Sequence, residues 1–223
     1  MEITDPKILN PKIYYIEEEN LWWSKDDVGA LDYFKKFNTD FAITIGQHLK
    51  GNSVSVQAGG HLGWMIRECK QYFDYIYTFE PTNTSFQCLC LNCPEDNIYK
   101  FQACVGETHK LLKINECLNQ AGANHIAAPQ DEGGADKIPM LMIDDLSLDA
   151  CDFLQLDLEG YEYYALLGAR QTIEKFKPLL CIEQAWGARY GVTPEMLNSL
   201  IIGQYGYTLI GRTGESDHIY KVI

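Results

Sequence analysis

One segment restricts the fold of this chain more than any other: residues 54–63, which read Val-Ser-Val-Gln-Ala-Gly-Gly-His-Leu-Gly. Its β-branched first half is typical of a buried strand, and its glycine-rich second half predicts a tight turn. A helix is predicted next, over residues 64–72, and a second strand over residues 75–79 ends at Glu80. This βαβ layout is typical of a nucleotide-type cofactor site. Its glycines let the backbone approach the ligand, and an acid roughly 20 residues on accepts hydrogen bonds from a ribose.

Length and composition predict one α/β domain with a full core, because the chain has 223 residues with 46% hydrophobic and 22% charged content. The net charge of −13 argues against binding to a nucleic-acid backbone or an anionic membrane surface, both of which attract lysine and arginine. No apolar stretch approaches the roughly 18 residues of a transmembrane helix, and the N-terminus lacks the features of a signal peptide. A cytoplasmic location is expected.

The eight cysteines are expected to be reduced thiols packed in the core rather than a disulfide framework. Cys88, Cys90 and Cys93 are close enough in sequence to suggest zinc. They fall on a predicted helix, however, where successive side chains point in different directions, so all three cannot face one ion. No metal site is predicted there.

From residue 53 onward, predicted strands and helices alternate, which indicates a mainly parallel sheet with helices on both faces. The strands are predicted at residues 54–57, 75–79, 98–104, 153–157 and 179–183, with a helix over residues 161–175. Residues 105–152 form a long insertion. Its polar centre, residues 130–136, is interpreted as an exposed loop.

The end of the chain follows a different pattern. A helix over residues 194–205 precedes two strands, at residues 207–212 and 217–223, joined by a turn into an antiparallel hairpin. A parallel sheet closed by such a hairpin is unlike that of ordinary dinucleotide dehydrogenases. It favours the methyltransferase variant of the doubly wound fold.

Three sequence blocks in order make the chain resemble the FkbM family of S-adenosylmethionine-dependent methyltransferases. The family's Asp-Val-Gly-Ala-Asn-x-Gly stands here as Gln-Ala-Gly-Gly-His-Leu-Gly at residues 57–63. Phe-Glu-Pro follows at residues 79–81, and the most specific block, Leu-Asp-Leu-Glu-Gly-Tyr-Glu, is at residues 156–162. The resemblance implies a Rossmann-like methyltransferase domain over residues 51–223. Residues 1–50 are then expected to be an N-terminal extension that packs over the cleft, with a helix at 30–37 and a helix or strand at 41–45.

The resemblance implies that the cofactor is S-adenosylmethionine. The residues expected to bind it are Gln57, Gly59, Gly60, His61, Gly63, Glu80, Ala103, Cys104 and Asp157. Two of them depart from the family pattern, because Gln57 replaces the usual acid and His61 replaces the usual asparagine. The loss of one acid would suit a variant that binds a different adenosine compound.

Transfer of a methyl group from a sulfonium needs in-line positioning of the acceptor and removal of its proton. Asp157, at the end of a strand, is the first candidate for that base, with His61 and His125 behind it, and Glu183 is expected to orient the substrate. Glu159 is as plausibly an ordinary first-turn acid of the following helix. By analogy with catechol-type enzymes, Asp157 together with Glu183 and Gln184 would alternatively hold magnesium.

The favoured function is O-methylation of a hydroxyl on a carbohydrate or other small metabolite. Two alternatives stay open. One is a binding protein that keeps the adenosyl cofactor but has lost catalysis, and the other is a dinucleotide-dependent oxidoreductase, which the terminal hairpin disfavours. Four aromatic residues are candidates to line an acceptor cleft: Trp22, Trp23, Trp186 and Tyr190.

Overall fold

The computed structural model of the protein describes residues 10–28, 31, 41–128, 137–214 and 216–223. Its strands are β1 (Ile13–Ile16), β2 (Leu21–Ser24), β3 (Val54–Ala58), β4 (Tyr75–Phe79), β5 (Ile98–Phe101), β6 (Cys104–Val105), β7 (Lys110–Asn115), β8 (His125–Ile126), β9 (Lys137–Leu141), β10 (Phe153–Leu156), β11 (Leu179–Glu183), β12 (Thr208–Thr213) and β13 (Asp217–Lys221). Its α-helices are α1 (residues 41–48), α2 (Trp64–Cys69), α3 (Asn83–Asn92), α4 (Glu162–Leu167), α5 (Arg170–Phe176) and α6 (Pro194–Asn198). None of the helices in these ranges is long and apolar enough to cross a membrane.

Among the described residues, seven strands form the central sheet in the order β12-β13-β11-β10-β3-β4-β5. The five strands from β11 to β5 are parallel, and β13 and β12 add an antiparallel hairpin at one edge. The predicted fold class, a doubly wound and mainly parallel Rossmann-like sheet with a C-terminal antiparallel hairpin, is confirmed. The strand order reverses between β3 and β10, and such a switch point leaves a crevice at the carboxyl ends of the strands.

The central strands β3, β10 and β11 are buried along their whole length, as expected for a parallel sheet covered on both faces. In β10 all four residues are buried. Leu154 and Leu156 pack in one core layer with Val56, whereas Phe153 lies in the other layer and stacks on Phe73 at 5.9 Å between ring centroids. Burying side chains of this size stabilises the fold by about 1.5–3 kcal/mol each. This core holds the strand ends in fixed positions.

The third predicted strand, at residues 98–104, was too long. The central strand β5 ends at Phe101, and Cys104–Val105 forms β6 in a separate four-stranded sheet of order β6-β9-β7-β8. The insertion between β5 and β10 therefore contains a small sheet of its own. The loop predicted at residues 130–136 lies outside the described residues.

The predicted helices at residues 161–175 and 194–205 are both divided. The first consists of α4 and α5, separated at Gly168, where a Cβ atom would lie 1.9 Å from the carbonyl oxygen of Gly106. This close approach of two backbones interrupts the helix and leaves no room for a side chain. The second changes after α6 into a π-helical stretch, Ser199–Gln204. The helix predicted at 64–72 is α2 followed by one 3₁₀ turn, Lys70–Tyr72.

The N-terminal segment packs against the first βαβ unit. The hairpin of β1 and β2 buries Ile13, Leu21 and Trp23 against Leu62 and Cys88. The segment predicted as helix or strand at 41–45 is helical, in α1. Apart from residue 31, the helix predicted at 30–37 lies outside the described residues.

Candidate functional site

A cavity lies at the carboxyl ends of β3, β4 and β10, beside the switch point of the sheet. Its lining comes from the glycine-rich turn after β3, from the ends of β4 and β10, and from residues 121–126 of the insertion. The predicted cofactor residues in this lining are Gly59, Gly60, His61, Glu80, Ala103, Cys104 and Asp157. Within the described part of the chain, Gln57, Gly63 and Glu183 do not line it, and Glu183 lines a second cavity nearby.

The turn after β3 needs glycine because of its shape and its close contacts. Gly59 has φ +89, and a Cβ atom there would lie 2.0 Å from the carbonyl oxygen of Asp157. The backbone N–H groups of Gly59 and Gly60 both donate to the carbonyl of Phe79, at 3.1 and 2.8 Å. Gly63, with φ +85, precedes the first residue of α2. The turn is therefore fastened between β4 and β10, which fixes the position of one wall of the cavity.

Glu80 follows β4 directly and is 6% exposed. Its carboxylate accepts hydrogen bonds from the backbone N–H of His61 at 2.9 Å and from the N–H of Thr82 at 2.8 Å. The Thr82 hydroxyl donates to it as well, at 2.6 Å. Burial raises the pKa of Glu80, and these donors and the charge of His61 lower it. Each carboxylate oxygen can accept more than one hydrogen bond, so the group fastens the turn and still has capacity for a ribose diol.

His61 connects the turn to the N-terminal segment. Its Nε2 atom lies 3.2 Å from an oxygen of Asp27, which is 4% exposed, and its ring meets the edge of Trp23 at 6.4 Å between centroids. The backbone there is left-handed, with φ +45, a conformation that asparagine adopts more easily than histidine. His61 therefore combines an uncommon backbone conformation with side-chain contacts to Asp27 and Trp23 at the edge of the cavity.

One part of the cavity is apolar. It is formed by Phe79, Ala103 and Val105 together with Ile114 and Ile126 of the small sheet. Beside them, burial raises the pKa of the Cys104 thiol to about 12, so this thiol stays protonated at neutral pH. A slot with such walls suits a flat aromatic ring such as adenine.

Gln57 lies away from the cavity. It stands between Val56 and Ala58, whose side chains belong to one core layer, and alternation along a strand places the Gln57 side chain on the opposite face. It is 2% exposed, and its side chain lies beside the Cys69 thiol. Any effect of this glutamine on a ligand is therefore indirect.

Carboxylates cluster where β10 and β11 end. Asp157, Glu159 and Glu183 each place an oxygen within 4.8 Å of the other two. Burial raises the pKa of Asp157, whereas the charge of His61 and contact with Glu183 lower it. Burial and the charge of Asp157 raise the pKa of Glu159 to about 7 and that of Glu183 to about 11. Carboxyl groups with such raised pKa values at a cavity are candidates for proton transfer or cation binding.

Two further carboxylates near this cluster were not predicted as site residues. Glu162 accepts hydrogen bonds from the N–H groups of Leu158 and Gly160, at 2.7 and 3.2 Å, and so fastens the turn that holds Glu159. Asp217 begins β13 and pairs in register with Glu183. The sequence signal for Asp217 is weak, because only the antiparallel pairing of the hairpin brings it next to β11.

The insertion contributes Asn124, His125 and Ile126 to the cavity, and sequence reasoning considered only the histidine. His125 is 8% exposed, and its Nδ1 lies 3.0 Å from the carbonyl oxygen of Ala123. A carbonyl only accepts hydrogen bonds, so Nδ1 carries a proton and Nε2 accepts from the Asn115 amide at 3.2 Å. Both ring nitrogens thus have partners within the insertion.

The four aromatic residues considered for an acceptor cleft have different environments. Trp23 is 1% exposed and donates its indole N–H to the carbonyl of Asp27 at 2.9 Å, and Trp22 is half-buried. Trp186 is 52% exposed, and the Arg189 guanidinium lies over its ring at 5.6 Å. The Tyr190 hydroxyl donates to the carbonyl of Ile126 at 2.6 Å, which links the segment after β11 to the small sheet.

A sequence profile of the methyltransferase FkbM domain matches residues 56–209 of this chain. No curated protein matches the sequence significantly.

Solved structures of methyltransferases also match this chain. The crystal structure of methyltransferase FkbM from Methylobacillus flagellatus KT matches with a TM-score of 0.57 and 20% identity, over 85% of this chain and 50% of that one. The present chain thus spans half the length of that protein. A SAM-dependent methyltransferase from Aquifex aeolicus also matches, with a TM-score of 0.45 and 13% identity, over 88% of this chain and 94% of that one.

Proposed function

Because the chain belongs to the methyltransferase FkbM domain family, as its sequence motifs predicted, we propose that it transfers a methyl group from S-adenosylmethionine to a hydroxyl of a carbohydrate or other small metabolite. The observation that carries the proposal is the position of Glu80. Glu80 follows β4 directly, and its carboxylate lines a cavity whose other walls include the glycine turn and an apolar slot. An adenosine has a diol for the acid and a flat base for the slot.

The residues of the cavity fit this cofactor in kind. Glu80 would hold the ribose, and Ala103 and Cys104 would contact the adenine beside Phe79. Gly59 and Gly60 would let the methionine part pass close to the backbone. Gln57, which is buried on the other face of the sheet, would support the turn without touching the ligand.

The bound cofactor supplies a methyl group on a positively charged sulfur, which is already a good leaving group. The protein must then place a hydroxyl in line and remove its proton. We propose Asp157 for that proton, because it lines the cavity at the end of β10 and burial raises its pKa, which makes it a stronger base than an exposed aspartate. Glu183, which lines the second cavity, would orient the acceptor. His61 is held between Asp27 and Trp23 and would act mainly by fixing the turn.

The N-terminal residues 1–50 are proposed as a cover for this cleft, with residues 51–223 as the methyltransferase domain. The contact between Asp27 and His61 supports that role. A second contact reaches the insertion, because the N–H of Val28 donates to the carbonyl of Asn119 at 3.1 Å.

We also propose a reducing compartment such as the cytoplasm, since six of the eight cysteines are buried free thiols.

One second candidate has an observation in its favour. Gln57 replaces the family's usual acid, and the second candidate is therefore a protein of the same fold that binds the cofactor but has lost catalysis. Binding of S-adenosylmethionine without methylation of any compound in a panel of sugars and hydroxylated metabolites would favour this candidate.

Calorimetric titration with S-adenosylmethionine and S-adenosylhomocysteine tests the cofactor assignment. We expect a Kd in the micromolar range for the wild-type protein. In Glu80→Gln we expect binding to be weaker by about tenfold or more, because a hydrogen bond to a charged group is worth about 1.5–3 kcal/mol. The control is Glu174→Gln, a half-exposed glutamate that pairs with Arg170 on α5. Urea unfolding checks that each variant is folded. If neither compound binds, whereas a nicotinamide dinucleotide does, the proposal is wrong.

A further inference from the structure

The carboxylates at the ends of β10 and β11 lie between two cavities. Asp157 and Glu159 line the cofactor cavity, and Glu183 lines the neighbouring one together with Glu162, Gln184 and the segment from 185 to 197. The three carboxylates converge, with one oxygen of each within 4.8 Å of the others. A ligand bound at this position would therefore touch the contents of both cavities.

The three carboxylates have few positively charged partners. No ion pair in the described part of the chain links Asp157, Glu159 or Glu183 to a lysine or arginine. His61 acts electrostatically on Asp157 and Arg189 on Glu159, and Nη1 of Arg189 donates to the backbone carbonyl of Glu159 at 2.9 Å. Burying several carboxylates together is costly, so these groups either hold protons, which the raised pKa values of Glu159 and Glu183 favour, or exchange those protons for a bound cation.

A second observation, on a different strand, points to a ligand. Asp217 pairs in register with Glu183 on the adjacent antiparallel strand, so both side chains lie on the same face of the sheet. Asp217 and Glu183 are each 7% exposed. Oδ1 of Asp217 and Oε2 of Glu183 are buried, and neither has a hydrogen-bond partner among the described residues. Buried oxygens of this kind normally have a partner, so these two oxygens are available to a ligand that accepts electron pairs.

We propose that Asp157, Glu159 and Glu183 bind one divalent cation, with Asp217 beside them as a further carboxylate. Oxygen donors of this kind suit Mg²⁺, Mn²⁺ or Ca²⁺. Opposite ligands around Ca²⁺ are about 4.6–5.2 Å apart, twice the usual metal–oxygen distance, so the observed spread of the oxygens fits one ion.

The site itself is independent of the proposed methyl transfer, but its role rests on that function. A cation between the two cavities would bind hydroxyl oxygens of the acceptor and hold one of them next to the cofactor. A bound cation also lowers the pKa of such a hydroxyl, which makes loss of its proton easier. An acceptor with two neighbouring oxygen atoms, as in a sugar diol, would fit this arrangement best.

The test measures the cation without any cofactor. Protein treated with a chelator and then dialysed is titrated with Mn²⁺, and free Mn²⁺ is followed by electron paramagnetic resonance. We expect one site in the wild-type protein and an affinity at least about tenfold weaker in Glu183→Gln, which keeps the size of the side chain but removes its charge. Glu174→Gln is the control and should bind as the wild type does. Mn²⁺ should also raise the Tm of the wild type but not that of Glu183→Gln.

Asp157→Asn is the second variant, in case Glu183→Gln does not fold. The proposal is overturned if the wild type shows no Mn²⁺ site, or if both variants, shown to be folded by circular dichroism, bind Mn²⁺ as tightly as the wild type. Failure of the methyl-transfer proposal gives a different pattern, in which Mn²⁺ binds and S-adenosylmethionine does not.

Discussion

At the scale of single residues, the glycine turn depends on the close approach of Gly59 to the backbone carbonyl of Asp157. Gly59 combines φ +89 with a backbone carbonyl 2.0 Å from the position of a Cβ atom. Gly191 has a similar φ, +75, but a Cβ there would meet nothing within 4 Å. The two glycines therefore separate the effect of the backbone angle from the effect of contact.

We expect Gly59→Ala to lower the free energy of unfolding by about 3 kcal/mol or more and to abolish cofactor binding, because β3 and β10 must move apart. Gly191→Ala should cost only about 1–2 kcal/mol, from backbone strain alone, and leave binding intact. Urea unfolding and calorimetry measure both effects. Equal losses in the two variants would mean that contact with the Asp157 carbonyl is unimportant.

At the level of residues, the sequence predicts which side chains lie together only where the motif itself sets the geometry. Glu80, Gly59 and Asp157 come together because each follows a parallel strand directly, and such strand ends share one edge of the sheet. Asn124 and Ile126 could not be predicted in this way. Ile126 lies in β8 and Asn124 directly before it, and the pairing of this two-residue strand with β7 has no strong sequence signal.

At the scale of elements, the strands β4 and β11 match their predicted bounds, because their apolar residues and flanking breaks are unambiguous. The division between α4 and α5 was not predicted. Its cause lies in tertiary structure: Gly168 packs against the backbone of Gly106, and a side chain from outside the helix supplies the cap of α5. That cap is Asp144, which accepts from the N–H groups of Gln171 and Thr172 at 2.9 and 2.8 Å.

Asp144→Ala is expected to lower the free energy of unfolding by about 1–2 kcal/mol, because the first turn of α5 loses the acceptor of its free N–H groups. Asp149→Ala, at an exposed position on the same connecting segment, should change it by less than about 0.5 kcal/mol. Chemical denaturation gives both values. A loss in Asp144→Ala no larger than that in Asp149→Ala would contradict the capping role.

At the scale of the whole molecule, buried carboxyl groups link stability to pH. Burial and, to a smaller extent, the charge of Asp157 raise the pKa of Glu162 from 4.5 to about 8, even though hydrogen bonds from backbone N–H groups, including those of Leu158 and Gly160, act to lower it. Glu162 and Glu183 also repel each other when both are charged, and this repulsion helps to raise the pKa of Glu183. Between pH 4.5 and about pH 8, Glu162 holds a proton in the folded state but has lost it in the unfolded chain. The free energy of unfolding therefore falls as the pH rises through this range.

We expect this fall to reach up to about 1.4 kcal/mol per pH unit for a single group. Glu162→Gln, which still has an oxygen to accept the two N–H groups, should reduce the slope, and Glu174→Gln should not. Urea unfolding over a series of pH values, with a chelator present, provides the measurement. If stability increases with pH across this window, Glu162 is not buried as described.

Asp27 contacts His61, and Val28 contacts the insertion. These contacts are expected to change the rate at which a ligand is released more than the affinity with which it binds. Two segments distant in sequence must separate before a ligand leaves on that side, so release, not the chemical step, would limit turnover. Asp27→Asn should then speed dissociation of S-adenosylhomocysteine by about fivefold, the equivalent of about 1 kcal/mol. Stopped-flow displacement measures this rate, and an unchanged rate would mean that the ligand leaves by another path. In the wild type, rapid mixing should show a burst of methylated product in the first turnover, followed by a slower steady phase.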